Sequence, residues 1–162
     1  MPLEPPLNHL EALQDRFALS TLLGWRREAV QDARFDRNEL SIYIDRAALK
    51  EACATLRSAG YNFLSDVTAV DLYPTEPRFE VIYHLISHTR KEMVRLKVRL
   101  HGDDPIVESV LSLWPAANFF EREVFDLFGV RFTGRDDLVR IMLPEDWEGH
   151  PLRKDYPVEG YR

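Results

Sequence analysis

Within residues 91–101 the chain alternates strictly from Val94 to Leu100: Val94, Leu96, Val98 and Leu100 are apolar, and Arg95, Lys97 and Arg99 between them are basic. Successive side chains of a strand point to opposite faces, so this period of two predicts a β-strand with an apolar face inward and a basic face outward. Residues 62–72 and 78–87 read as two further strands, joined by Tyr73-Pro74-Thr75-Glu76-Pro77 and Ser87-His88-Thr89-Arg90, connectors short enough to favour antiparallel pairing. Upstream, residues 28–35 and 39–45 read as a hairpin turning near Asp36-Arg37-Asn38, with Leu40, Ile42 and Ile44 on one face.

Helices are expected around these strands. Leu10, Leu13 and Phe17 recur at helical spacing, with Leu7 extending the stripe. After Asp45, an N-cap acceptor, Leu49, Ala52, Cys53 and Leu56 form an apolar stripe that Gly60 can end in a left-handed cap. A helix from about Pro105 and another from near Pro115 to Gly129 complete the reading. The expected fold is α+β: a mostly antiparallel sheet with helices packed on one face, followed by a helical segment at about 105–129 and an extended C-terminal tail. Residues 1–132 form the α+β domain, and residues 133–162 the interaction tail.

Composition narrows the function. The 162 residues suit one core, and 45% hydrophobic with 11% aromatic residues can fill it. Cys53 is the single cysteine, so the chain forms no intrachain disulfide and holds no thiolate-ligated iron–sulfur cluster by itself. A net charge of -6 disfavours polyanions. The longest run without Asp, Glu, Lys or Arg, residues 109–120, contains Pro115 and is shorter than the ~20 apolar residues of a spanning helix. Met1-Pro2-Leu3-Glu4-Pro5-Pro6 lacks the basic region of a secretory signal, which makes the cytoplasm the expected compartment.

Few residues offer chemistry. Arg95, Lys97 and Arg99 are a candidate RNA-binding face, although a solvated strand face explains the alternation without any ligand. His84 and His88 lie ~13 Å apart on an extended strand and cannot share a metal there. His9, His101 and His150 are dispersed. The segment 114–129 is sharper. On a helix Ala117, Phe120, Val124, Leu127 and Phe128 share one face, while Phe119 and Phe125 flank Arg122 and Asp126 on the other. Arg122 and Asp126, at i and i+4, can pair with each other. With Glu121 and Glu123 this nearly all-apolar helix carries four charged groups, which need partners if buried, so a second surface is expected to cover it. General acid–base or di-iron chemistry by these carboxylates lacks its Glu-x-x-His motifs, and no Ser-His or Cys-His pairing accompanies it. A structural ion-pair network remains.

The tail is punctuated by Pro144, Pro151 and Pro157, which disfavours sustained helix or central strand. Its anchors Leu138, Ile141, Met142, Leu143, Trp147, Leu152, Tyr156 and Tyr161 alternate with Arg140, Glu145, Asp146, Arg153, Lys154 and Asp155. Such a segment gains stability by lying along its own domain or a neighbour.

Glu121-Arg122-Glu123-x-x-Asp126-Leu127-Phe128-Gly129-Val130-x-Phe132-x-Gly134 resembles the signature of the 30-kDa subunit family of the proton-pumping NADH:quinone oxidoreductase, respiratory complex I. The run from Leu143-Pro144-Glu145-Asp146-Trp147 through His150-Pro151-Leu152-Arg153-Lys154-Asp155-Tyr156-Pro157 resembles it equally. Between these blocks the family often has His-Pro-Asp-Leu-Arg-Arg, where this chain has Arg135-Asp136-Asp137-Leu138-Val139-Arg140, and Phe119 or Phe120 stands where a Trp is common. The resemblance implies a non-catalytic subunit of the peripheral arm on the cytoplasmic side of the cell membrane. It implies no cofactor in this chain, with FMN and iron–sulfur clusters in other subunits, and no nucleic acid or membrane insertion. Its partners would be the large 49-kDa-like subunit and the iron–sulfur subunits. The candidate interface is Phe119, Glu121, Arg122, Glu123, Phe125 and Asp126 on the helix, with Trp147, His150, Leu152, Arg153, Lys154, Asp155 and Tyr156 on the tail. Related membrane-bound hydrogenases and ferredoxin-linked complexes contain equivalent subunits, and a free-standing RNA-binding module or a hydrolase are the readings from other classes.

Overall fold

The computed structural model describes residues 6–160, so the proline-rich start and the anchor Tyr161 fall outside the described residues. Five strands form the main sheet: β1 (Val30–Asp36), β2 (Glu39–Ile44), β3 (Phe63–Asp71), β4 (Phe79–Ser87) and β5 (Glu92–Leu100), in the order β1-β2-β5-β4-β3. The β1–β2 hairpin turns through Arg37 and Asn38, at φ 52° and 64°, a conformation that fits the right-handed twist of the flanking strands. β3, β4 and β5 run antiparallel, as their short connectors require. Within this sheet β2 and β5 pair in parallel, from Leu40 opposite Val94 to Tyr43 opposite Lys97.

This register stacks the apolar sides of all five strands. Ile42, Leu96, Tyr83 and Val67 are successive partners across four strands, and all are buried. Three α-helices, α1 (Phe17–Arg26), α2 (Leu49–Ser58) and α3 (Ala117–Phe128), join that face in one core cluster. In α2 the predicted stripe of Leu49, Ala52, Cys53 and Leu56 is wholly buried. Asp45 accepts from the Ala47 N–H at 2.8 Å on a 3-10 turn that precedes the helix, and Gly60 follows it at φ 102°.

Two predicted helices differ. The N-terminal one is a 3-10 turn at Leu10–Leu13 followed by the separate α1, and Leu7 pairs with Phe35 at the sheet edge instead of extending a stripe. The helix expected from Pro105 is a strand, β6 (Ile106–Glu108), which pairs in parallel with β7 (Arg131–Thr133) beyond α3. Three residues are too few for periodicity to separate strand from helix, and the partner arrives only after α3.

The outward face of β5 is not a free basic surface. Arg95 meets Glu39 at 2.7 Å, Lys97 meets Glu80 at 2.6 Å, and Arg99 lies over the Tyr43 ring at 4.4 Å and 3.8 Å from Glu80. Opposite charges on neighbouring strands cancel the cationic field that RNA binding would use. His84 lies 3.9 Å from Asp66, while His88 packs against Phe63 at 5.5 Å between ring centres. Among the described residues no group of three or more His, Cys, Asp or Glu side chains is placed to hold a metal ion, and no helix is long and apolar enough to cross a membrane.

Inside the core the Tyr83 hydroxyl has no hydrogen-bond partner among the described residues, and burial pushes its phenol well above the ordinary value. A buried unpaired hydroxyl is destabilising, whereas the isosteric ring without it is not. Tyr83→Phe is therefore expected to keep or raise the melting temperature, by about 1 kcal/mol of stability. A fall of several degrees in thermal unfolding would contradict this.

Candidate assembly surface

α3 lies against β3 at the sheet margin, and the indole of Trp114 just before it donates to the Asn62 carbonyl at 3.0 Å. Glu121 is 0% exposed on this helix. Its carboxylate accepts from Ser109 Oγ at 2.6 Å, the Val110 N–H at 2.8 Å and Arg135 Nη1 at 3.0 Å. Arg135, itself buried, also donates to Asn118 Oδ1 and Asp137. Burial pushes the Glu121 carboxyl up, opposed by the bonds from Ser109, Val110 and Arg135.

Asp126 is likewise 0% exposed, but its partner is not Arg122. Arg140, from the tail, meets its Oδ1 at 2.6 Å, and the consecutive N–H groups of Ile141, Met142 and Leu143 donate to Oδ2 at 3.0, 2.7 and 2.9 Å. Burial alone would raise this carboxyl; Arg140 and the three N–H groups outweigh it and hold the pKa below the ordinary value. Arg122 instead donates to the carbonyls of Val139 and Arg140 at 3.1 and 2.9 Å. The i, i+4 pair that the spacing permits loses to partners that meet both groups more completely. The covering surface that the helix charges demanded is the chain's own tail.

The helix end is closed by the same segment. Gly129 takes φ 75° after Phe128, and a Cβ there would come within 2.5 Å of both Arg153 and His150, so only glycine permits this approach. His150 Nδ1 sits 2.9 Å from the Asp126 carbonyl, and its ring meets Phe125 edge-on at 6.2 Å. Arg153 Nε donates to the Phe128 carbonyl at 2.6 Å. Arg140 also binds the carbonyls of Trp147 and Gly149, which draws the 147–149 turn toward α3.

Further on, the tail is clasped to the ends of β3 and β4. Arg78 donates twice to Asp71, at 2.9 and 2.8 Å, and twice to Asp155, at 3.0 and 2.6 Å; the Lys154 N–H completes Asp71 at 2.8 Å. Burial pulls Asp71 up, but Arg78 and the N–H groups of Lys154 and Tyr73 bring it down to about 2. Asp71, Arg78 and Arg135 were not singled out in the sequence. The ion pairs Asp71–Arg78, Glu121–Arg135 and Arg78–Asp155 join residues 7, 14 and 77 positions apart, so no local pattern marks them.

The expected interface residues therefore divide. Glu121 and Asp126 are internal, and Arg122, Arg153 and Asp155 bind other parts of the chain. Phe125 and His150 are half-buried against each other, Tyr156 is half-buried beside the tail, and Glu123 and Lys154 are exposed. Phe119 at 60% exposure and Leu152 at 50%, with Trp147, are apolar and outward. Met142 at 64% and Val139 join them, the latter unmarked by any sequence pattern.

The sequence pattern of the family described as "Respiratory-chain NADH dehydrogenase, 30 Kd subunit" matches residues 42–162. The chain belongs to this family. An NADH-quinone oxidoreductase subunit of Roseiflexus sp. (strain RS-1) is 43% identical over 150 residues, covering 91% of this chain and 86% of that one. The corresponding NADH-quinone oxidoreductase subunit of Geobacter sulfurreducens is 43% identical over 150 residues, covering 91% of this chain and 87% of its own. Among solved structures, the trypsin-resistant fragment of Nqo5 superposes with a TM-score of 0.66 at 32% identity, over 75% of this chain and all of the fragment. A chain of the membrane-bound sulfane sulfur reductase, an archaeal respiratory membrane complex, gives a TM-score of 0.74 at 25% identity, over 86% of this chain and 84% of its own. The relatives are subunits of a multi-subunit NADH-quinone oxidoreductase, and a chain with no active site of its own fits that membership. In this family member, the signature charges of α3 hold the tail.

Proposed function

We propose that this chain is a cofactor-free structural subunit of the peripheral arm of a proton-translocating NADH:quinone oxidoreductase, seated against the 49-kDa-like subunit and near the iron–sulfur subunits. The arm would lie on the cytoplasmic side of the cell membrane, with FMN and iron–sulfur clusters in its other subunits. The observation that carries this reading is the contrast within the tail. Its backbone and arginines are tied to α3 and to Asp71, yet Val139, Met142, Trp147 and Leu152, with Phe119 of α3, remain apolar and exposed. Large apolar side chains held outward on an ordered segment suit burial by a neighbour. Phe119, Trp147 and Leu152 would contribute most of the binding energy, while Glu121, Arg122, Asp126, Arg153 and Asp155 act by fixing the surface that carries them.

A second reading keeps the architecture and changes the complex, because a chain of a sulfane sulfur reductase shares the fold at 25% identity. The 43% identity to NADH-quinone oxidoreductase subunits favours the first. The test is affinity purification of the tagged chain from gently solubilised native membranes, with mass spectrometry of its companions. NADH-oxidising, iron–sulfur and 49-kDa-like subunits are the expected result. Hydrogenase or sulfur-reductase partners would redirect the assignment, and a solitary protein would overturn it. In the same experiment Met142→Ala/Trp147→Ala, at surface positions, is expected to stay folded yet lower recovery of the companions by at least tenfold, since a buried Trp anchor contributes ~2 kcal/mol or more.

A further inference from the structure

The tail sorts its charges by direction. Arg135 and Arg140 point inward to Glu121 and Asp126, and Arg153 binds the Phe128 carbonyl, leaving Lys154 as the exposed basic residue of the described tail. Asp136, Glu145, Asp146, Glu148 and Glu159 are exposed, and none makes an ion pair with a described residue. Val139, Met142 and Trp147 of the tail are exposed as well, and Trp147 stands among three of these carboxylates. A shallow cleft of about 510 Å³ is lined by Asp146, Trp147, Glu148, Tyr156 and Glu159. The cleft walls are fixed by Arg140 bonds to the Trp147 and Gly149 carbonyls and by a Tyr156 hydroxyl bond to the Glu148 carbonyl at 3.4 Å.

We infer that this face is the docking surface for a protein segment that carries apolar side chains flanked by arginine or lysine, one of whose cations enters the Trp147 cleft. The inference rests on the assembly reading above and gives the partner surface its chemistry. Charge complementarity selects this occupant. A cleft in which Trp147 stands among Asp146, Glu148 and Glu159 repels an acidic neighbour and attracts a basic one, and an indole beside carboxylates is a favourable wall for a guanidinium or ammonium group. The inward-turned Arg135 and Arg140 make the separation possible, because they neutralise Glu121 and Asp126 of α3 and leave the exposed charges of the tail mostly acidic.

The test uses the purified full chain and native membranes from cells lacking it, with bound chain measured after sedimentation at 20 and 300 mM KCl. Wild-type binding is expected to fall by about tenfold or more between the two salt levels. Asp146→Lys/Glu148→Lys is expected to bind at least ~10-fold more weakly at low salt and to lose the salt dependence. Glu11→Lys/Asp15→Lys, an equal charge change on the exposed N-terminal turn, should bind like wild type. If the Asp146/Glu148 reversal binds normally while Met142→Ala/Trp147→Ala does not, the surface is an interface but its partner is not basic, and the inference falls alone. If neither pair alters binding, the inference and the assembly reading of this surface fall together.

Discussion

Replacing Asp126 with alanine is expected to free the tail from α3 at neutral pH while the sheet stays folded. The substitution removes an acceptor that serves Arg140 and three consecutive backbone N–H groups, all inside a site the tail itself closes. Breaking one partner of a buried pair costs about 3–5 kcal/mol, because the other is left without compensation. Even ~3 kcal/mol is about a hundredfold in the docking equilibrium. Since the strands and α2 do not depend on Asp126, opening should be local. Tryptic cleavage after Arg135, Arg140, Arg153 or Lys154 would then accelerate by roughly that factor, with the β1–β5 body surviving as a stable fragment. Cleavage within twofold of wild type would mean that the Asp126 contacts do not hold the tail. Arg122→Ala removes two bonds to tail carbonyls on a more exposed side chain and should act in the same direction, more weakly.

The second large effect is expected at the clasp. Arg78→Ala leaves Asp71 buried beside the tail without its guanidinium and releases Asp155, a change of the same order, about 3–5 kcal/mol. Acid should open the clasp without mutation. Asp71, Asp126 and Asp155 all have folded-state pKa values below the ordinary one, so their stabilisation is complete above the unfolded value. For Asp71 it is lost as pH falls from about 4 toward about 2. His150 is also lowered, first by burial and then by Arg153 and Arg140, and its smaller contribution starts to fade below ~6.5. Glu121, raised by burial, works in the opposite sense and offsets part of the loss. Protection of the amides of residues 141–155, taken relative to intrinsic exchange at each pH, should therefore fall slightly between pH 7 and 5 and steeply below pH 4, while Arg78→Ala loses protection in the 153–155 stretch already at pH 7. Flat protection down to pH 3 would contradict the clasp.

How much of this was legible in the chain depended on distance along it. The β5 alternation, the α2 stripe and the Gly129 stop are local patterns, and the structure places them where those patterns end. The β2–β5 parallel pair joins segments about fifty residues apart and leaves no mark on either strand's own alternation. β6 failed for the same reason, since its stabilising partner is β7. At α3 the demand for a cover could be read from charges on an apolar helix, but not its source. Arg122 and Asp126 stand at pairing distance in sequence, yet the tail supplies Arg140 and three N–H groups to one and two carbonyls to the other. Asp71 and Arg78 looked like ordinary strand-end residues because Asp155 lies 77 positions beyond Arg78.

The way Asp126 grips the tail bears on how such a surface changes over evolutionary time. Three of its bonds come from the main chain of residues 141–143, and the side chains there make no contribution to them. Proline alone, which lacks the N–H, is barred at these positions. Ile141, Met142 and Leu143 can thus be exchanged one for another type while the strap keeps its path, and recognition of a neighbour can drift or be retuned without reopening the fold that displays it.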